Sequence, residues 1–327
     1  MPDLTQGRII VTGGAGFIGS SLVWALNQRG IEDILITDIL GSDEKWRNLV
    51  PLRYVDYMDA GALLDTLEDL PDIACVFHLG ACSATTERDA DYLMRNNYEY
   101  TKTLAQWAVK NDVRFVYASS AATYGDGSCG MDDTAPIEPL RPLNMYGYSK
   151  HLFDLFAQRQ GFLNRIVGLK YFNVFGPNED HKADMRSLVH KAYHQVVENG
   201  VIRLFKSDRP DYADGEQKRD FLYVKDAVEM TIHLAENENA GGLFNLGSGE
   251  ANTWNSLAKA IFAALDREPD IEFIPLPEQL RGKYQYFTQA NVAKLRGAGF
   301  DRGITPLADS VADYVKHYLV PGKTLGE

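Results

Sequence analysis

The sequence predicts an α/β fold, a doubly wound parallel sheet with a smaller, discontinuous α/β lobe beside it. Three observations carry that prediction. Short apolar runs rich in Val and Ile alternate with helix-length segments over the first 175 residues, as expected of parallel strands buried on both faces. A glycine-rich turn joins the first run to the first helix. After Phe175 the alternation loosens into turn-rich and charged stretches, the mark of a second, less regular lobe.

The elements follow in order. Arg8-Ile9-Ile10-Val11-Thr12 reads as a buried strand, 17–28 as a helix stopped by Gly30, and 34–37 as a strand ending at Asp38. Arg53-Tyr54-Val55 is strand-like, 73–79 is a further strand, and 89–110 reads as one long helix. Residues 114–118 form the next strand, a helix runs from Met145 to Arg159, and 165–171 is a strand. Beyond Gly176-Pro177, a helix is expected over 183–198, a charged loop over 207–218, a strand near Phe221 and a helix over 225–236. A strand at 243–246 and helices over 254–265 and 307–319 complete the pattern. Residues 1–175 are expected as one domain and 176–327 as mainly the second lobe, with segments near 219–248 returning to the first.

Composition narrows the function. Of 327 residues, 45% are hydrophobic and 24% charged, an ordinary globular balance. With 33 Lys plus Arg against 45 Asp plus Glu, the formal charge is −12. Such a surface repels phosphate backbones, so no nucleic-acid partner is expected. No apolar stretch is long enough to span a bilayer and no signal-peptide pattern is present, so no membrane partner is expected and the cytoplasm is the expected location. Cys75, Cys82 and Cys129 lack metal-ligand spacing and are odd in number, which argues against both a metal site and a disulfide framework.

Gly13-Gly14-Ala15-Gly16-Phe17-Ile18-Gly19 follows a strand and opens a helix, the context a dinucleotide fingerprint requires. Gly13 permits the tight turn, Gly16 lets backbone approach a pyrophosphate, and Gly19 lets helix pack on strand. The domain is thus expected to be of Rossmann type, with phosphates on the amides around Phe17 and Ile18. Asp38 stands where a carboxylate would meet the paired ribose hydroxyls of NAD. Lys45 and Arg47 stand close enough to neutralise the 2′-phosphate of NADP, and a solvated surface pair is their competing reading. Asp56-Tyr57 is a candidate for the adenine edge, or Asp56 for a helix cap. The small residues Gly80, Ala81, Cys82 and Ser83, after the strand ending at Leu79, would let backbone pass close to a cofactor. Asn96, on the next helix, is a candidate to bond that backbone.

Tyr146-Gly147-Tyr148-Ser149-Lys150 carries the chemistry. On a helix Tyr146 and Lys150 share a face, and an ammonium beside a phenol is expected to lower its pKa. Ser120, in Ser119-Ser120-Ala121-Ala122-Thr123-Tyr124, sits at the carboxyl end of a strand, where hydroxyls face the ligand crevice. It is read as a partner of the reacting oxygen, or as a turn cap. Lys182, in the loop after the last strand of the first domain, is a candidate second base or a solvated lysine.

These motifs, with Arg219-Asp220-Phe221-Leu222-Tyr223-Val224 and Asn245-Leu246-Gly247, resemble the extended short-chain dehydrogenase/reductases acting on nucleotide sugars. Within them the finer likeness is to epimerases of ADP-linked heptoses. It is carried by Gly80-Ala81-Cys82-Ser83 with Thr85-Thr86-Glu87, Tyr146-Gly147-Tyr148-Ser149-Lys150, Gly176-Pro177 with His181-Lys182, and Gly282-Lys283-Tyr284-Gln285 with Phe287-Thr288-Gln289. The resemblance implies inversion at C6″ of the heptose through a transient 6″-ketone, with a tightly held NADP, or NAD in its place. It implies that Tyr146 and Lys182 serve as two bases, and that Lys150 holds the cofactor ribose. Val174 and Lys182 complete the cofactor side. Substrate contacts are implied for Asn173, Asp184, Lys191 and Arg219, with Phe205, Lys206, Ser207, Asp208 and Tyr284 around the nucleotide end. A homo-oligomer, a homopentamer, is implied as well. The chain departs from the family's pattern at Ile39, where Asn is common after the cofactor Asp, and at Ala60. It also departs at Asp184, where Ser is common, and at Lys191, which follows an expected histidine.

Three rival readings remain. A nucleotide-sugar 4-epimerase shares Ser120, Tyr146 and Lys150 but needs no base at Lys182. A 4,6-dehydratase would carry carboxylates where this chain has Ala121 and Ala122. A non-catalytic, dinucleotide-sensing regulator would not need the intact Tyr-x-x-x-Lys pair.

Overall fold

In the computed structural model, which describes residues 3–278 and 284–327, seven parallel strands form the main sheet. They are β1 (Arg8–Thr12), β2 (Ile34–Asp38), β3 (Asp56–Asp59), β4 (Ile73–His78), β5 (Arg114–Ala118), β6 (Val167–Tyr171) and, from far along the chain, β10 (Gly242–Leu246). Their order is β10-β6-β5-β4-β1-β2-β3, and every pairing is parallel. The helices preceding the second lobe are α1 (Phe17–Gln28), α2 (Ala60–Thr66), α3 (Ala90–Leu93), α4 (Tyr100–Lys110) and α5 (Met145–Arg159).

Alternation along the strands explains the two layers. Ile9 and Val11 point into one core, with Leu22 and Leu26 of α1 and Ala227 and Val228 of a later helix. Ile10 points into the other, with Leu104 and Ala108 of α4 and Phe153 and Ala157 of α5. Successive side chains of a strand face opposite ways, so a continuous apolar run is what burial on both faces demands. The chain progression reverses around β1, between β2 and β4, and the crevice at the carboxyl ends of such strands is where ligands bind.

The smaller lobe has its own core, built from α6 (Leu188–Asn199), α8 (Trp254–Ala264) and α10 (Leu307–Tyr314). α7 (Val224–Glu236) covers the main sheet, and the short α9 (Ala293–Gly297) sits against β10. Two small sheets complete the lobe. One joins β7 (Asn173–Phe175), β9 (Lys218–Tyr223) and β11 (Ala251–Thr253), and the other pairs β8 (Ile202–Phe205) with β12 (Ile271–Ile274).

Several boundaries differ from expectation. The strand expected at Arg53-Tyr54-Val55 begins at Asp56, because the parallel register places Asp56 opposite Leu35. The long helix over 89–110 is interrupted by a π turn at Met94–Glu99. The helix expected over 183–198 starts at Leu188. Ala183 takes a left-handed conformation (φ 46°), and the Ser187 hydroxyl caps the new start by accepting from the His190 amide. α10 gives way to a π turn at Val315–Leu319.

Candidate active site

The glycine turn makes one wall of a cavity of about 520 Å³. Gly13 is left-handed (φ +67°), and a Cβ on Gly19 would stand 2.1 Å from the Gly13 carbonyl oxygen. Gly16 caps α1 with extended backbone and without any side-chain acceptor. The first-turn amides of α1 at Phe17, Ile18 and Gly19 are therefore not consumed by a capping side chain, and these residues line the cavity. An uncapped helix start with its positive dipole end on a cavity fits a diphosphate. Gly19→Ala must push the Gly13 backbone aside, so it is expected to lower the melting temperature and to lower dinucleotide affinity about tenfold or more, measured by fluorescence titration beside a melting curve.

At the far end of the cavity Asp38 is 7% exposed. Its Oδ2 accepts from the Ala15 amide (2.9 Å), and its Oδ1 accepts from the Ile39 amide (2.7 Å) and pairs with Lys45 Nζ (2.9 Å). Lys45 thus brings a cation to this carboxylate, while Arg47 pairs with Glu44 on the surface. The Ile39 side chain is exposed and lies outside the cavity lining; its contribution is the amide. Asp59, not Asp56, caps α2 through the Gly61 amide, and the Tyr57 hydroxyl donates to the Asp38 carbonyl.

Leu79, Gly80, Ala81, Cys82 and Ser83 line the opposite wall. The residue that holds this loop is Asn97, not Asn96. Asn97 Oδ1 accepts from the Cys82 amide (2.9 Å), and its Nδ2 donates to the Cys82 carbonyl (3.0 Å) and the Ser149 hydroxyl (3.1 Å). The π turn shifts the helix face by one residue, so Asn96 is left to bond the Tyr92 carbonyl.

A second cavity, about 500 Å³, opens beside the first. Tyr146 and Ser120 line it together. Asn144 fixes the start of α5 by accepting from the Gly147 amide (2.8 Å). Burial pushes the Tyr146 phenol up, and the opposing pull is a hydrogen bond from Ser120. The expected lowering by Lys150 is thus replaced by a balance between desolvation and Ser120. Ser120 also caps its own turn, accepting from the Ala122 amide at 3.1 Å, the second of the two readings given for it. Lys150 is 4% exposed, and burial drives its amine down to about 8 against the charge of Asp154.

Lys182 lines both cavities, with Ser83 and Met185. Its Nζ lies 4.8 Å from the Phe17 ring centroid. Burial lowers its amine, Glu179 opposes that, and Lys191 adds to it. The turn that carries it is anchored from below. Buried Glu179 accepts from the Ser187 amide and hydroxyl (2.6 Å each), while Asn178 donates to Ser20 and accepts from the Leu325 amide (2.9 Å each).

The other substrate-side candidates separate. Asn173, Arg219 and Tyr284 line the second cavity, and so does Val174, which was expected on the cofactor side but does not line the first cavity. Arg219, 6% exposed, lies between Trp254 and Tyr284, 5.7 and 5.1 Å from their ring centroids, and donates to the Gln285 and Lys218 carbonyls. Asp184 and Lys191 do not line it. Because α6 starts late, both are exposed, and Lys191 donates to the Asp184 carbonyl at 2.6 Å. Phe205 packs edge-to-face with Tyr284 without lining this cavity, and Asp208 lines a side cavity of about 360 Å³ that shares Tyr284 and Gln285. Lys206 is exposed, and the Ser207 hydroxyl bonds within its own loop. Gly282 and Lys283 fall outside the described residues.

Comparison with known proteins places this geometry. Residues 9–247 match the NAD dependent epimerase/dehydratase family. The chain belongs to that family. It is 58% identical over 314 residues to an ADP-L-glycero-D-manno-heptose-6-epimerase of Nitratidesulfovibrio vulgaris (strain DP4), covering 95% of this chain and 97% of the relative. A crystal structure of Helicobacter pylori ADP-L-glycero-D-manno-heptose-6-epimerase superposes with a TM-score of 0.81 at 26% identity, covering 96% of each chain. A UDP-N-acetylglucosamine 4-epimerase from Methanobrevibacter ruminantium M1 gives 0.80 at 25% identity, covering 97% of this chain and 99% of that one.

In this member of the epimerase/dehydratase family, sequence reasoning missed Trp254, whose indole N–H donates to the Tyr284 hydroxyl at 2.8 Å. An aromatic directly after the Thr253 cap was the available signal. It also missed Asn97, which only the π turn reveals. Among the described residues, no cluster of His, Cys, Asp and Glu could hold a metal ion, and no helix is long and apolar enough to cross a membrane.

Proposed function

We propose that this epimerase/dehydratase inverts C6″ of ADP-D-glycero-D-manno-heptose, giving the L-glycero epimer through a transient 6″-ketone, with NADP held in the first cavity. The observation that carries it is the placement of two side chains able to move protons, Tyr146 on α5 and Lys182 on a separate turn, around one cavity that adjoins the one walled by the glycine turn. The names of the relatives at 58% identity support the sugar and the carbon. The Lys182 turn favours this reading over a 4-epimerase.

The dinucleotide, when bound, accepts and returns a hydride, which no side chain can do. The chain's own groups handle protons and placement. The α1 amides hold the diphosphate, and Lys45 offsets the Asp38 charge, which supports NADP over NAD. Lys150 holds the ribose. Tyr146 and Lys182 each serve one pose of the sugar, because a planar ketone must present its other face, by rotation or rebinding, before the centre inverts. Burial moves the phenol up and the amine down, which suits Tyr146 to give a proton and Lys182 to take one. Arg219, with Asn173 and Tyr284, holds the substrate diphosphate and nucleotide end. Residues 1–175 bind the dinucleotide and 176–327 mainly the sugar, with 219–248 returning to the sheet through β10, which pairs with β6. A homopentamer and a cytoplasmic location belong to the same proposal; the resemblance supports the first and three free cysteines the second.

The test is to incubate the purified protein with ADP-D-glycero-D-manno-heptose in D₂O without added cofactor, following C6″ by NMR. Inversion without deuterium at C6″ is expected; deuterium there, or no inversion, overturns the proposal. Denaturation should release NADP, and released NAD would overturn the cofactor preference. Arg219→Lys keeps the charge but loses the flat face between two rings. KM should rise about tenfold, the worth of one charge-assisted hydrogen bond, with kcat nearly unchanged.

A further inference from the structure

A fully buried ion pair lies behind the site, and the mechanism above makes no use of it. Asp154 on α5 and Lys170 on β6, both with side chains 0% exposed, meet at 3.1 Å. Asp154 follows Lys150 by four residues and Tyr146 by eight, so all three lie along one face of α5. Asp154 Oδ1 accepts from the Tyr117 hydroxyl and Oδ2 from the Ser119 hydroxyl, each at 2.8 Å. Lys170 donates to Thr123 Oγ1, and that hydroxyl donates to the Ser120 carbonyl (2.8 Å). The Lys170 Nζ also stands 4.9 Å from the Tyr124 ring centroid. One pair therefore ties the turn bearing Ser120 to the helix bearing Tyr146 and Lys150.

Stability is a weak reason for such a pair. Desolvating two charges costs several kcal/mol, and apolar replacements of similar volume are often as stable. The charge of Asp154 has another recipient. Among the described residues, no hydrogen bond or ion pair engages the Lys150 side chain. The titratable groups facing it are Asp154 and Tyr146 on its own helix, Cys82 in the loop after β4, and His78 on β4. His78 is held neutral by burial and accepts or donates only to Thr12 and Thr101. The fixed anion in that set is Asp154.

We propose that Asp154 and Lys170 are positioning residues for Lys150: Asp154 supplies the field that keeps the Lys150 ammonium charged, and Lys170 holds Asp154 in place and moderates that field. The inference rests on the role given to Lys150 above. Burial already lowers the Lys150 amine, and Asp154 is the leading influence against it. A rate that needs the ammonium is present below its pKa and lost as pH rises through it. Removing the Asp154 charge lowers that pKa and moves the loss to lower pH.

The test compares Asp154→Asn with the double variant Asp154→Asn/Lys170→Met. The Lys150 amine is titrated by NMR of ¹⁵N-lysine-labelled protein, its signal assigned by its loss in Lys150→Arg, and the pH profile of kcat/KM is recorded in parallel. In Asp154→Asn the midpoint should fall by about one pH unit or more, with a tenfold loss of rate on the alkaline side and recovery toward lower pH. The double variant removes the paired charge of Lys170 together with that of Asp154, so its midpoint should fall between Asp154→Asn and the parent. An unmoved Lys150 midpoint, or a rate lowered equally at every pH, overturns the proposal. If Asp154→Asn does not fold, the double variant carries the test alone, because it leaves neither charge orphaned. The titration needs no substrate, so a wrong sugar assignment would abolish the rate profile while leaving the NMR shift intact.

Discussion

Tyr146→Phe is expected to lower epimerase turnover roughly a hundred- to ten-thousandfold, the range lost with a positioned proton-transfer group. The change removes one oxygen and keeps the ring, so the shape of the cavity is preserved. Ser120 loses its phenol partner but keeps the Ala122 amide. Tyr146 lines the second cavity and not the one walled by the glycine turn, so bound dinucleotide should stay near the parent level. The readouts are kcat, the dinucleotide released on denaturation, and a melting curve. A folded variant with more than about a tenth of parental turnover would remove Tyr146 from the proton-transfer role.

Lys182→Met should be about as damaging, for a different reason. Methionine keeps an unbranched side chain over Phe17 but cannot move a proton. One pose of the sugar then lacks its acid or base, and inversion needs both poses. Turnover should fall by at least roughly a hundredfold, and a variant within tenfold of the parent would refute the two-base scheme. The pH dependence carries a sign. Burial lowers the Lys182 amine, so the neutral form that accepts a proton becomes available at lower pH than for a solvated lysine. Loss of activity on acidification should thus begin below the ordinary lysine range, and that limb should vanish from the residual rate of Lys182→Met.

Local signals made much of this legible in advance. The glycine turn, the Tyr-x-x-x-Lys helix from Met145 to Arg159 and the strands of the main sheet are written in contiguous residues whose spacing and caps speak for themselves. What escaped depends on geometry that spacing does not encode. A π turn costs no unusual residue, yet it exchanged Asn96 for Asn97 at the loop after β4. The late start of α6 follows from the backbone of one alanine and the hydroxyl of one serine, and it moved Asp184 and Lys191 off the site. Asp154 and Lys170 meet across sixteen residues and two elements, a pairing visible only once the helix lies on the sheet. The short strands β7 and β11, three residues each, are too brief to show a period.

The shared boundary at Lys182 has a practical consequence. An amine pushed toward its neutral form beside a cavity is a nucleophile, and this one is reachable from two chambers. An aromatic aldehyde shaped to sit in either chamber would condense with it as an imine, and a single covalent adduct would then bar coenzyme and sugar alike.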